Sequence, residues 1–160
     1  METMIRKVQQ GDANALAYIQ TESWKAAFAG ILDAEMLAKC TDIDRATAMY
    51  QRLLDENKGN GYLLTVNEKP HCIAYWDAAR DPEFAGKAEL ICIHSLPDNW
   101  HKGFGSQMMD FVLDDIKKAG YSEVVLWVFR DNLRARAFYE AKGFILKGTA
   151  RPAFDTEEVL

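Results

Sequence analysis

Residues 96 to 120 read LPDNWHKGFGSQMMDFVLDDIKKAG, with Lys102, Gly103, Phe104, Gly105 and Ser106 immediately before an amphipathic run. The first N–H groups of a helix have no intrahelical partner and carry partial positive charge. Glycines at that point let a ligand approach bare backbone. The turn is therefore either a phosphate cradle or a plain turn that needed flexible residues. Two familiar phosphate loops are excluded. The G-x-x-x-x-G-K-[ST] spacing is absent, and Met108 stands where a dinucleotide turn has its third glycine.

A second stretch, NLRARAFYEAKGF at 132 to 144, sets Asn132 and Tyr139 seven residues apart. That is about two helical turns, so the pair lies on nearly one face about 10 Å apart. Leu133, Ala137 and Ala141 form the packing stripe of the same helix. Taken alone, Tyr139 reads as a tyrosine at the edge of a core.

The elements that must position these residues follow from pattern. Ile5 to Val8 reads as a first strand, and Asp12 can cap a helix to about Ala29, stopped by Gly30. Leu32 to Cys40 is a short helix, and Asp42 or Asp44 starts another. Gly61 to Val66 and His71 to Ala78 form a hairpin around Asn67 to Pro70. Ala88 to Leu96 is a strand that Pro97 stops. A helix spans about Gly103 to Ala119, ended by Gly120. Glu123 to Phe129, EVVLWVF, reads as one strand buried on both faces. Asp131 or Asn132 caps a helix to Lys142, stopped by Gly143, and Phe144 to Leu146 and Phe154 to Leu160 complete the strands. Alternating strands and helices in the second half imply an α/β core with parallel pairing.

With both stretches placed on elements, the chain resembles the GNAT superfamily of acyl-CoA-dependent N-acetyltransferases. ELICIHSLPDNWHKGFGSQMM, Glu89 to Met109, is similar to that family's strand, proline and Q/R-x-x-G-x-G/A turn opening a helix. Leu126 to Phe144 is similar to its strand followed by N-x-x-A-x-x-F-Y-x-x-x-G-F, here Asn132, Ala135, Phe138, Tyr139, Gly143 and Phe144. ESWKAAFAGIL at 22 to 32 looks like the opening helix of some members. The departure is Trp100 where the family has Gln or Arg, followed by His101. The resemblance implies a single domain over 1–160 and a twisted mixed sheet of about six to seven strands flanked by about four helices.

It also implies roles. Acetyl-CoA is the co-substrate, its pyrophosphate held by the backbone of His101, Lys102, Gly103, Phe104, Gly105 and Ser106, with Lys102 a nearby counter-charge. The backbone of Ile93, His94 and Ser95 aligns the pantetheine arm, and Asn132 contacts the cofactor, caps its helix, or both. Tyr139 touches the cofactor as the general acid that protonates the leaving thiolate. Glu89 stands where some members keep a general base; a water chain is the other route, because an alkylamine with a pKa near 10 must lose a proton before attack. The acceptor is an amine attacking directly in a ternary complex. Two alternatives stay open: a non-catalytic acyl-CoA-binding module, and a transferase for a longer acyl chain. The family selects its acceptor with the first helices and the loop between the last strands, here about 24–44 and 148–155. Asp33, Glu35, Asp42 and Asp44 in the first region suit a polyamine or another cationic amine, or are an exposed acidic loop. Trp24, Phe28, Tyr75 and Trp76 wall an acceptor pocket or are core.

Composition narrows the rest. At 49% hydrophobic and 27% charged over 160 residues, the chain suits one globular domain. A net charge of −5 disfavours nucleic acid and anionic membrane as partners. No apolar run approaches the roughly 20 residues of a membrane span, and METMIRKVQQGD lacks a signal peptide's apolar core, so the expected compartment is cytoplasmic. Cys40, Cys72 and Cys92 form no C-x-x-C pair, and His71, His94 and His101 are too scattered for a metal site. FDTEEVL at the C-terminus reads as an unfinished edge strand that could pair between subunits in a homodimer.

Overall fold

The computed structural model describes residues 2–97, 103–146, 150–153 and 156–159. Trp100, His101 and Lys102 of the glycine turn lie outside the described residues. The chain runs β1 Thr3–Lys7, α1 Ala13–Ala27, α2 Ala34–Cys40, α3 Ile43–Glu56, β2 Asn60–Val66, β3 Lys69–Ala78, a 3-10 turn at Pro82–Phe84, β4 Ala88–Ser95, α4 Phe104–Lys118, β5 Val124–Leu126, β6 Val128–Phe129, α5 Leu133–Ala141, β7 Ala150–Ala153 and β8 Thr156–Val159. One sheet has the order β1-β2-β3-β4-β5, and a second the order β6-β8-β7. The first is antiparallel except for the parallel β4–β5 pair, the parallel pairing expected of the second half.

Both faces of the five-stranded sheet are covered. Tyr62, Leu64, Cys72, Ala74, Trp76 and Leu90 pack on α4 through Phe104, Met108, Met109, Val112 and Ile116. Leu63, Ile73 and Tyr75 face the other way, onto Leu16, Ile19 and Tyr50 of α1 and α3. Alternate residues of β2 and β3 thus enter different cores, which makes these strands continuous apolar runs in sequence. A polar chain crosses the first core. Trp76 Nε1 donates to Tyr62 Oη at 2.9 Å, and Tyr62 Oη donates to Asp115 on α4. Burial and the Asp115 carboxylate hold the Tyr62 phenol above its usual range.

Local chemistry explains most boundaries. Asp33 caps α2 by accepting from Met36 N, and Asp42 caps α3 by accepting from Asp44 N and Arg45 N. Asp12 precedes α1 but its side chain makes no cap bond; it accepts instead from Arg6 and from Gln9 N. The β2–β3 turn is two residues, Asn67 and Glu68, both at positive φ, with Lys69 and Pro70 already in β3.

Two expected strands differ. The run 123–129 is not one strand: β5 ends at Leu126, and β6 leaves for the second sheet at Val128. Residues 144–146 follow α5 without strand structure. At the C-terminus β8 is paired on both sides, by β6 and by β7, so β6 and β7 rather than β8 are the edges of that sheet.

Gly61 lets Tyr75 lie flat across β2. A Cβ built at Gly61 would stand 2.4 Å from Tyr75 Cζ, whereas one at Gly105 would meet nothing closer than 3.8 Å. Gly61→Ala should therefore lower stability in urea denaturation by about 1–3 kcal/mol, the range for overpacking a core. Gly105→Ala should leave it unchanged or raise it by up to about 1 kcal/mol, as alanine does in a helix. Equal effects at the two positions would contradict the packing described.

Candidate active site

The site begins where two strands part. β4 and β5 pair only over Ala88–Leu90 and Val124–Leu126. Beyond that point β4 continues to Ser95 against β3 alone, while β6 turns to pair with β8. From Ile91 onward no described strand covers that edge of β4, so its N–H and C=O groups face an open wedge. Such an edge can take an extended ligand as a pseudo-strand.

A bulge decides which side chains enter. Tyr75 pairs with Cys92 and Trp76 with Leu90, leaving Ile91 without a partner. Two consecutive residues consequently share a face. Glu89 and all of Ile91 to Ser95 line one cavity, which reaches Trp24 of α1 and Tyr50 of α3; Cys92 packs with the α1–α3 core and Ile93 with the α4 core. The cavity measures about 690 Å³ and is bounded across the wedge by Trp127, Val128 and Phe129, and by Asn132, Arg134 and Tyr139 at α5. Sequence alone could not assign these faces, because one unpaired residue reverses the alternation after it.

The described part of the glycine turn, from Gly103 onward, lies next to the end of β4. Gly103 precedes α4 in the left-handed region, φ 84°, and no side chain caps the helix. Gly105 lies beside the end of β4, since a Cβ there would be 3.8 Å from Ser95 Oγ and 3.8 Å from Phe138. Phe104 is buried in the α4 core, so it can offer only backbone to a ligand. Lys142, at the end of α5, donates to Ser106 Oγ at 2.5 Å and to Asp110 Oδ1 at 2.8 Å. This brings a cation to the first turn of α4 that the sequence motif does not announce, because the contact joins residues 36 positions apart.

Tyr139 projects from α5 into the wedge and touches Phe138 and Phe144 edge-on. Its hydroxyl makes no hydrogen bond among the described residues, and burial holds its phenol above the usual range. It is therefore protonated across neutral pH. Asn132 accepts from Ala135 N at 3.2 Å and so caps α5. Burial likewise pushes the Cys92 thiol up to about 12, which leaves it neutral and a poor nucleophile.

Glu89 is buried and held by Arg80, which donates from Nη2 at 2.6 Å and from Nε and the backbone N at 3.1 Å each. Arg80 was not among the sequence candidates; it sits past β3, where only the register reveals its reach. Asp77 and Glu89 are cross-strand partners on the cavity face. Asp77 forms no ion pair among the described residues, its Oδ1 accepting from Ala78 N. Trp24 and Phe28 do wall the cavity, with Phe129. Tyr75 reaches it while packed on Gly61, and Trp76 belongs to the opposite core. Trp24 Nε1 donates to His94 Nε2 at 3.3 Å. Burial lowers the His94 pKa to about 4, so the imidazole is neutral at physiological pH. Among the described residues no cluster of His, Cys, Asp and Glu could hold a metal.

Comparison with known proteins gives the family and the fold. The model of the acetyltransferase (GNAT) family matches residues 21–144. The chain belongs to the GNAT acetyltransferase family. Spermidine N(1)-acetyltransferase of Thermoplasma acidophilum is 27% identical over 99% of this chain and 98% of its own length. The ribosomal protein bS18-alanine N-acetyltransferase of Escherichia coli is 30% identical over 59% of this chain and 62% of its own. The PaiA N-acetyltransferase of T. acidophilum in complex with coenzyme A superposes with a TM-score of 0.84 at 23% identity, covering 99% of this chain and 98% of that one. As a GNAT N-acetyltransferase, the protein transfers an acetyl group from acetyl-CoA to an amine.

The α4 start yields a direct test. Gly105→Glu sets a carboxylate where the cradle would hold pyrophosphate, and should weaken acetyl-CoA binding in calorimetry by 100-fold or more, on the order of 3 kcal/mol for an uncompensated like charge. Gly105→Ala should bind within about threefold of wild type. Retained binding in the glutamate variant would place the pyrophosphate elsewhere.

Proposed function

We propose that the enzyme acetylates a small cationic amine of the polyamine type by direct attack in a ternary complex, with Tyr139 as the general acid. The observation that carries this reading is the position of Tyr139 at the strand wedge. Its protonated hydroxyl, which makes no hydrogen bond among the described residues, borders the same cavity as the open edge of β4. The backbone of Ile93, His94 and Ser95 receives the pantetheine arm, and the first turn of α4 receives the pyrophosphate, with Gly103 to Ser106 as the described part of the cradle and His101 and Lys102 completing it. As the amine nitrogen bonds to the acetyl carbon, the carbon–sulfur bond breaks and the departing thiolate takes the Tyr139 proton. Arg80 occupies much of the lone-pair capacity of Glu89. We accordingly assign Glu89 the orientation of a water that carries the amine's proton away, with the carboxylate as its acceptor of last resort.

The acceptor class is supported by an available carboxylate and by a relative. Asp33 and Asp42 cap helices, and Glu35 pairs with Lys39 at 3.6 Å, so the acidic 33–44 segment has structural work of its own. Asp77, which forms no ion pair among the described residues, is the cavity carboxylate we assign to a second ammonium group. The relative matching almost the whole chain is named for spermidine.

Tyr139→Phe should lower kcat by about 100-fold or more, the scale of general acid catalysis, with acetyl-CoA affinity unchanged. Because the Tyr139 phenol is raised above its usual range, the wild-type kcat should show no fall attributable to it up to pH 10. An unchanged kcat in the phenylalanine variant would remove Tyr139 from the chemistry and favour a non-catalytic acyl-CoA module. Asp77→Asn should raise KM for spermidine about tenfold, as loss of a charged hydrogen bond does, and leave KM for a monoamine alone. Equal shifts for both amines would exclude Asp77 as the second anchor.

A further inference from the structure

The tautomer of His94 is fixed by its partner Trp24. An indole N–H is a donor only, so the atom that receives it must offer a lone pair. Trp24 Nε1 points at His94 Nε2 at 3.3 Å. Nε2 is therefore the bare nitrogen, and in a neutral imidazole the proton then resides on Nδ1. The Trp24 ring is itself held edge-on by Phe28 at 5.0 Å and Phe129 at 6.5 Å, so the donor that sets this tautomer comes from a packed wall. Among the described residues no group accepts from Nδ1. His94 is mostly buried, and what remains accessible borders the 690 Å³ cavity. A polar N–H is thus left beside the wedge with no partner among the described residues, and a ligand can supply one.

The chemistry of a donor restricts that ligand. An ammonium group has no lone pair, and a neutral amine poised for attack directs its lone pair at the acetyl carbon. The cationic acceptor is therefore the wrong partner for an N–H. The acyl-pantetheine arm carries carbonyl oxygens and passes along β4, on whose edge His94 sits. We infer that His94 binds a carbonyl oxygen of acetyl-CoA through Nδ1–H, in the tautomer that Trp24 imposes. This rests on the reading that the wedge holds the pantetheine arm. The oxygen is either the thioester carbonyl or a pantetheine amide; both are neutral acceptors of the same kind. His94 is then a substrate contact, and Trp24 a positioning residue that acts through it.

The test reads the tautomer, then the contact. Long-range proton–nitrogen NMR of the imidazole in the wild-type enzyme should show the Nδ1–H form at pH 7, and acetyl-CoA should move that proton's resonance. Asparagine sets an amide nitrogen near the Nδ1 position and glutamine near the Nε2 position. His94→Asn should therefore keep kcat/KM within about threefold of wild type, and His94→Gln should lose about tenfold, the worth of one neutral hydrogen bond. A loss in kcat identifies the thioester oxygen, and a loss in acetyl-CoA affinity a pantetheine amide. An Nε2–H tautomer, an imidazolium, a resonance indifferent to acetyl-CoA, or equal behaviour of the two variants would each overturn the inference. Wild type that binds no acetyl-CoA would instead overturn the wedge reading beneath it.

Discussion

The structure depends on a pairing that stops. Three residues of β4 and three of β5 form a parallel ladder, and then the two strands separate. Leu90 and Leu126 sit at the join and are buried. A sheet normally satisfies every interior N–H and C=O with its neighbour. Parting the strands instead exposes an edge of backbone in the middle of the fold, next to a helix start with the same need for partners. The two lie side by side: α4 is the next helix after β4, and Gly105 in its first turn stands next to Ser95, where an added Cβ would be 3.8 Å from Ser95 Oγ. A ligand with an extended amide-bearing arm and an anionic end answers both needs at once.

Much of this was legible before any coordinates. The glycine turn, the amphipathic run after it and the Asn132–Tyr139 spacing are local patterns, and locally determined elements formed where they were expected. The break at Trp127 was not legible. EVVLWVF has the apolar continuity of a doubly buried strand, and nothing in residue type marks where it leaves one sheet for another. The departure is a tertiary event, set by β8 arriving from the far end of the chain. The turn is two residues shorter than its sequence suggests for a related reason: Pro70 reads as turn chemistry, yet it is accommodated in β3 beside a register shift between Leu64 and Thr65.

The site's side chains were legible as types and illegible as neighbours. Glu89 and His94 were identified by resemblance, but their partners Arg80 and Trp24 come from a following loop and from the first helix. Those contacts cross the bulge at Ile91, which turns Cys92 and His94 toward α1. Asp77 emerges only once the β3–β4 register places it opposite Glu89. The acidic residues of 33–44 show the converse. Their charge is conspicuous in sequence, but two of them spend it on helix caps.

The Trp76–Tyr62–Asp115 chain has a consequence for how the protein fails. It ties the far half of α4 to the centre of the sheet, eleven residues after the helix begins. A helix is stiff over that distance, about 17 Å. The start of α4, whose Phe104 is itself buried in the same core, is therefore coupled to it. Binding and folding should share one cooperative unit: denaturant will abolish cofactor affinity and tertiary structure at the same midpoint, with no partly melted form that is folded yet empty-handed.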